Sequence, residues 1–119
     1  MAITVSVYNF FGGTTNAPLT ANVVVVKNSA ASYLGCRIQN LNASNVYVQT
    51  FNANNVANVT LGTTAPIDII PIPSGGFWQD TLIQDNKIVY PNGIAVAATT
   101  TPTGNVAPSS NVIGNINYL

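Results

Sequence analysis

The sequence predicts an all-β protein, a single antiparallel β-sandwich of jelly-roll or immunoglobulin-like type with about seven to eight short strands. Val, Ile and Thr together approach a third of the 119 residues, and β-branched side chains suit the half-buried surfaces of strands. No stretch repeats apolar residues at helical spacing over two turns, so helix is a minor component. Candidate strands recur at intervals of roughly 8 to 12 residues between turn signals, which is typical of a sandwich.

The first half of the chain supplies four candidate strands. Residues 3–8 alternate apolar and polar side chains and lead towards a glycine pair. Residues 21–27 contain an unbroken run of valine, which predicts a strand covered on both faces. Residues 37–41 and 45–51 are separated by the short polar connection Asn-Ala-Ser, and this spacing predicts a β-hairpin.

In the second half, Pro71 interrupts the apolar run of residues 67–72. Proline cannot donate a backbone hydrogen bond to a neighbouring strand, so this strand is predicted to lie at a sheet edge or to end early. Residues 101–111 are rich in proline, glycine and serine and predict a loop or a semi-extended arm. The other candidate strands are residues 77–83, 87–90, 94–100 and 112–119.

The length is that of one domain, residues 1–119. Within it we interpret residues 1–20 as a docking arm or an added strand and residues 101–119 as a loop-rich C-terminal segment. The N-terminus lacks the positive and long apolar regions of a secretory signal, so synthesis in a cytoplasm is expected.

The chain is almost uncharged, with 5% charged residues and a formal net charge of zero. Binding to nucleic acid by counterion release needs a basic stripe, and binding to a membrane surface needs a basic amphipathic face. The sequence has neither, so we expect no nucleic-acid or membrane partner. A neutral surface and β-branched strand edges both favour association, which predicts a building block that docks on copies of itself or on a larger protein.

Catalytic groups are few. The chain has no His and no Glu, so a nucleophile lacks the usual base, and we expect no enzymatic activity and no cofactor. Of the three acidic residues, Asp80 and Asp85 are interpreted as strand-end or turn residues, and Asp68 lies within a β run. A carboxylate pair for glycoside cleavage, or a calcium site formed by Asp80, Asp85 and Asn86, is the weaker alternative for these positions. A zinc site is excluded by the count of Cys and His.

Three further residues carry some reactivity. Cys36 is interpreted as a small apolar residue on a strand, because neighbouring Arg37 would point to the opposite face and could not activate its thiol. Lys27 and Lys87 could each form an isopeptide bond with a nearby Asn, but lysines that discourage edge-to-edge pairing of strands are the favoured interpretation.

Aromatic residues could form a sugar-binding platform, with Phe77, Trp78, Tyr47 and Phe51 as the candidates. Packing in the core or between subunits explains the same residues at least as well, because lone aromatic side chains of small sandwiches bury most of their ring area.

The sequence resembles small β-sandwich structural proteins of tailed bacteriophages, among them the decoration, or cement, proteins on the capsid exterior. The resemblance covers about residues 37–108. It is carried by segments 44–52, 61–66 leading through 69–73 to 75–78, and 92–104, the last reading Asn-Gly-Ile-Ala-Val-Ala-Ala-Thr-Thr-Thr-Pro-Thr-Gly.

This resemblance implies a virion protein that binds the major capsid protein, reinforces contacts between capsid subunits and assembles as a homo-oligomer, with a trimer favoured. We expect it on the capsid exterior, after synthesis in the host cytoplasm. A tail or fibre component and a glycan-binding module on the virion surface are the alternatives. The residues expected to contact the partner are Phe10, Phe11, Gly12, Gly13, Phe77 and Trp78.

Overall fold

A computed structural model describes residues 5–14, 16–82 and 86–119. In this part of the chain nine strands form two antiparallel sheets, and a 3-10 turn lies at Val56–Asn58. The strands are β1 (Ser6–Asn9), β2 (Val24–Lys27), β3 (Ala31–Asn40), β4 (Val46–Asn52), β5 (Asp68–Ile72), β6 (Phe77–Thr81), β7 (Ile88–Tyr90), β8 (Ile94–Thr99) and β9 (Val112–Tyr118).

The strand order identifies the sandwich as a jelly roll. Sheet A has the order β1-β9-β3-β6, with β7 pairing the first part of β3, and sheet B has the order β2-β8-β4-β5. If β6 and β7 count as one interrupted strand, the first strand pairs with the last, the second with the last but one, and so on inward. That is the pattern of a long antiparallel hairpin rolled into two facing sheets. The predicted all-β sandwich is therefore confirmed, with jelly-roll rather than immunoglobulin-like connections.

The core fills the space between the sheets. Inward-facing residues of both sheets alternate with outward-facing ones, as the two-residue period of a strand requires. The largest fully buried side chains of this cluster are Tyr33, Tyr90, Phe10, Leu19, Ile38, Ile72, Ile94 and Ile116. All six residues of β8 are buried, because one side of the strand faces this core and its other side is covered from outside sheet B.

The hairpin predicted across residues 42–44 is wrong. Strand β3 pairs with β6, β7 and β9 in sheet A, whereas β4 pairs with β5 and β8 in sheet B. The connection therefore crosses from one sheet to the other. The backbone groups of this connection form hydrogen bonds with buried asparagine side chains. They therefore need no cross-strand ladder between β3 and β4.

Several other predictions are confirmed. The valine run has apolar neighbours on both faces, with Val24 and Val26 at the core and Val23 and Val25 at a second cluster outside sheet B. Strand β5, which contains Pro71, is an edge strand. Apart from these, residues 6–9 form edge strand β1 within the segment interpreted as an arm or added strand. Strand β9 lies inside sheet A, so the segment interpreted as loop-rich, residues 101–119, ends in a strand.

A buried pair of asparagines holds one end of the sandwich together. Asn40 Nδ2 donates to the carbonyl oxygens of Ser44 and Ile72 at 2.9 and 3.1 Å. Asn40 Oδ1 accepts from the backbone and side-chain nitrogens of Asn42 at 2.8 and 2.9 Å. Asn42 in turn accepts from the Ser110 backbone N–H at 2.6 Å. These bonds link the β3–β4, β5–β6 and β8–β9 connections, so the network fixes where the chain changes sheets.

We predict that Asn42→Ala lowers the free energy of unfolding by about 2–4 kcal/mol, because it leaves the Ser110 N–H and part of buried Asn40 without partners. Urea denaturation monitored by circular dichroism measures this difference. Asn111→Ala is the matched control, because Asn111 is exposed beside the same loop, and its effect stays within about 0.5 kcal/mol. Equal effects of the two substitutions would contradict the structural role of the network.

Candidate functional site

The outer face of sheet B is covered by the chain's own β4–β5 connection. Phe51 of β4 and Ala95 of β8 point away from the core between the sheets. Both are nevertheless buried, because Val59 and Leu61 of the connection pack over them and form a second apolar cluster. This face therefore presents no large apolar strand residues where the connection lies on it.

The β8–β9 connection covers a second part of that face, around Gln49 and Thr99, whereas Tyr47 is half-buried and Pro71 is exposed beside it. Gln49 is fully buried, and its Nε2 donates to Thr99 Oγ1 at 2.7 Å and to the Gly104 carbonyl oxygen at 3.1 Å. Thr99 Oγ1 also donates to the carbonyl oxygen of Thr101 at 2.8 Å. Side chains on the outer face of sheet B thus hold in place the β8–β9 connection that covers them.

The outer face of sheet A has no such cover within the described residues. Ten large apolar side chains are exposed in the described part of the chain, and five of them lie on this face. Their positions follow from strand register and alternation, since Val7 pairs with Asn117, Phe77 with Gln39 and Val89 with Ser32. The five are Val5, Val7, Phe11, Phe77 and Val89. We name this surface the outer face of sheet A and take it as the candidate docking site.

The N-terminal aromatic pair is divided between the core and this face. The Phe10 backbone N–H donates to the Gly114 carbonyl oxygen at 3.0 Å, which continues the β1–β9 ladder by one residue. Successive side chains of an extended chain point in opposite directions, so Phe10 is fully buried and Phe11 is 50% exposed. Gly12 and Gly13 then take φ values of +87° and +65°, the left-handed region that suits glycine, and turn the chain back. Phe10 is thereby removed from the expected partner contacts, because no partner reaches it.

Phe11 and Phe77 line one shallow groove of about 210 Å³, together with Arg37 and Asn115. The groove floor is partly bare backbone, because a side chain at Gly114 would collide with the backbone of Arg37. Asn115 Oδ1 is buried without a hydrogen-bond partner in the described structure. The site thus combines two aromatic walls, one cation and one unsatisfied acceptor.

Two of the expected contact residues, Phe11 and Phe77, are therefore brought together, although 66 positions apart in the chain. The sequence analysis did not single out Val5, Val7, Arg37, Val89 or Asn115. Alternation separates the two faces of a strand, but it does not show which face the rest of the chain covers.

Trp78 lies on the opposite side of β6 from Phe77. It pairs with buried Ile38 and is 37% exposed at the edge of sheet A. Tyr47 is half-buried on sheet B, and Phe51 is fully buried beneath the β4–β5 connection. The four aromatic residues considered for sugar binding therefore do not form a single platform.

The chemistry-bearing residues in the interior hold the fold together. Asp80 Oδ1 accepts a 2.7 Å hydrogen bond from the Cys36 backbone N–H and a 3.3 Å bond from the Tyr33 hydroxyl. Cys36 is a buried strand residue and Arg37 is exposed on the other face, as predicted. Burial raises the pKa of the Cys36 thiol to about 12, so the thiolate is scarce at neutral pH.

Two other arrangements can be compared with the expectations. Asp68 and Asp80 stand on different sheets, and Asp85 lies outside the described residues. In the part of the chain that the structure describes, no three His, Cys, Asp or Glu residues are grouped to hold a metal ion. Lys27 lines an open groove with Asn28 and Asn54, at the end of edge strand β2.

Comparison with protein-family models, with curated proteins and with solved structures returns no match for this chain. Among the described residues, no helix has the length and apolar character that crossing a bilayer requires.

We predict that the protein loses stability as the pH rises from about 9 to 12. Burial holds the pKa of Cys36 and Tyr90 near 12, above their ordinary values of 9.0 and 10.0, and raises the pKa of Tyr33 as well. Since the unfolded chain releases these protons first, unfolding becomes easier with each step of pH in that window. Urea titrations at a series of pH values measure the slope.

Cys36→Ala tests the assignment, because it removes one of the titrating groups. The slope between pH 9 and 11 becomes shallower by about 1 kcal/mol per pH unit. A slope that is the same in both proteins would contradict the raised thiol pKa.

Proposed function

We propose that this protein is a structural component that acts by docking, and specifically a capsid decoration protein of a tailed bacteriophage. In this proposal the outer face of sheet A lies against the major capsid protein and reinforces the contact between capsid subunits. The observation that carries the proposal is the asymmetry of the sandwich: its own loops cover much of sheet B, while sheet A displays half-exposed Val and Phe side chains.

Such a face is unusual for a protein that works alone. Exposed apolar groups that are contiguous on one surface mark interaction sites, whereas scattered ones need no explanation. Here Val5 before β1, Val7 in β1, Phe11 after β1 and Phe77 of β6 share one surface across sheet A, and β9 adds Ile113. The surface extends from edge strand β1 to edge strand β6, and its charged residue is Arg37, which suits a broad protein contact.

The groove indicates what the partner brings to the contact. An apolar side chain between Phe11 and Phe77 would bury the two rings, and a carbonyl or carboxylate oxygen would accept from Arg37. Both features are common on protein surfaces.

The binding free energy that one copy can contribute suits a protein that reinforces the capsid in many copies. Full burial of a large apolar side chain is worth about 1.5–3 kcal/mol, so completing the burial of these half-exposed residues adds roughly 1 kcal/mol each before the cost of association. A molecule that binds only the assembled shell stabilises that shell against its separated subunits. Modest affinity per copy is therefore sufficient.

The resemblance of residues 37–108 to phage virion proteins supports the choice of partner, and the jelly-roll architecture is compatible with it, because capsid proteins use this fold. Fold alone does not assign a function, so the docking surface carries the proposal.

We predict that Phe77→Asp lowers the affinity for capsid particles by about a hundredfold, because it removes apolar burial and places a charge in a desolvated contact. Capsids prepared without this protein are incubated with the purified variant, and occupancy is read by sedimentation and by cryo-electron microscopy. Val106→Asp is the matched control, since Val106 is 59% exposed in the loop that covers sheet B. Its occupancy equals that of the unaltered protein.

Two results would overturn the assignment. Binding to tails or fibres with no binding to capsids would place the protein elsewhere on the particle. Saturable binding of a sugar that is lost in Trp78→Ala but kept in Phe77→Asp would make it a glycan-binding module.

A further inference from the structure

In the described part of the chain, five strands lie at sheet edges: β1, β2, β5, β6 and β7. Four of them are guarded, and for β7 the guard is Lys87, which directly precedes the strand. An edge strand presents unpaired N–H and C=O groups, and proteins block such edges with proline, bulges, lysine or inward-pointing charges. Strand β5 carries Pro71, and β2 has a register irregularity between Val25 and Lys27 and ends in that lysine. Strand β6 turns Asp80 inward onto the Cys36 backbone N–H.

The edge of β1 carries none of these devices. Its residues Ser-Val-Tyr-Asn are uncharged, and their register with β9 runs without a shift from Ser6 to Asn9. Because the Phe10 N–H points to β9, alternation directs the backbone groups of Ser6 to β9 and those of Val5 and Val7 outward. The Asn9 carbonyl oxygen is also directed outward, where it accepts from Asn16 Nδ2 at 2.9 Å.

We propose that β1 pairs with β1 of a second copy of this chain, antiparallel, about a twofold axis that passes between the two Ser6 residues. Val5 then lies opposite Val7 of the second copy, and Val7 opposite Val5. Each pair exchanges two backbone hydrogen bonds, so the outward groups of both valines are satisfied in both copies. Asn9 keeps its bond to Asn16.

The pattern of this edge fits a second copy of the same strand. It is complementary to itself, because the two outward-directed residues are both valine, and β-branched cross-strand pairs stabilise a sheet. The side chain on the axis is the small Ser6. The strand has no charge and the chain has zero net charge, so two copies meet without repulsion. The valines, 46% and 50% exposed, join into one apolar stripe.

Pairing of this kind makes sheet A continuous through two molecules, and it gives a twofold dimer in place of the trimer that the resemblance implies. The outer faces of the two copies then lie side by side and offer a doubled surface. The inference goes beyond the docking proposal, because it concerns an edge and not a face, and it holds or fails in the absence of any capsid.

A cross-link provides the first test. In the proposed register the two Ser6 residues form a pair without hydrogen bonds, with Cα atoms about 4.5 Å apart, which is within disulfide range. Ser6→Cys therefore forms an intermolecular disulfide at least about tenfold faster than Thr81→Cys, an exposed position on β6, because pairing raises the effective thiol concentration. The native Cys36 is buried and does not interfere.

The second test measures the dimer directly by sedimentation equilibrium of the full-length protein. The unaltered protein behaves as a dimer, and Val7→Lys weakens dimerisation by roughly tenfold to a hundredfold, because the twofold axis repeats the change. Val89→Lys alters a valine of similar exposure on the same face but away from β1, and leaves the dimer intact. A monomer at all concentrations, a trimer, equal cross-linking at Ser6→Cys and Thr81→Cys, or a dimer indifferent to Val7→Lys would overturn the proposal.

Discussion

Because charged residues are scarce, neutral side chains make most of the polar contacts in this molecule. The fold depends most on one set of these contacts, the hydrogen bonds of the Asn40–Asn42 pair. The chain changes sheets at one end of the sandwich, and the backbone groups freed there need buried partners. Neutral amides supply them, and they join three connections that are far apart in sequence. Amides carry both donors and acceptors, so two side chains satisfy the corner without burying a charge.

The same connections decide which face of the sandwich stays open. The β8–β9 connection is tied to Asn42 at Ser110 and to Gln49 at Gly104, and the β4–β5 connection packs on Phe51. Both lie over sheet B. In the described residues nothing comparable crosses sheet A, so its outward valines and phenylalanines remain at the surface. The candidate docking site therefore arises from the way the loops are anchored, and not from a sequence motif.

The local parts of the fold could be predicted from the sequence, and the long-range parts could not. Strands such as β4 and β8 are rich in β-branched or apolar residues, and this preference for strand can be recognised within a few consecutive positions. The first half of β3 was missed, because the register shift between Tyr33 and Gly35 buries Leu34 and breaks the alternation. Neighbouring aromatic residues were grouped in the sequence analysis, yet a strand sends them to opposite sides, which separates Phe10 from Phe11 and Phe77 from Trp78.

The few charged residues are concentrated where unwanted pairing would begin. Lys27 is on the edge strand β2, Asp68 begins the edge strand β5, Asp80 is in the edge strand β6, and Lys87 precedes β7. Arg37 is instead exposed in the middle of sheet A. A chain with so little charge cannot repel wrong partners over its whole surface. Charges placed at most of the individual strand edges block unwanted pairing there and leave other surfaces free to associate. By the same reasoning, the surfaces without such protection, the β1 edge and the outer face of sheet A, are the ones we propose for association.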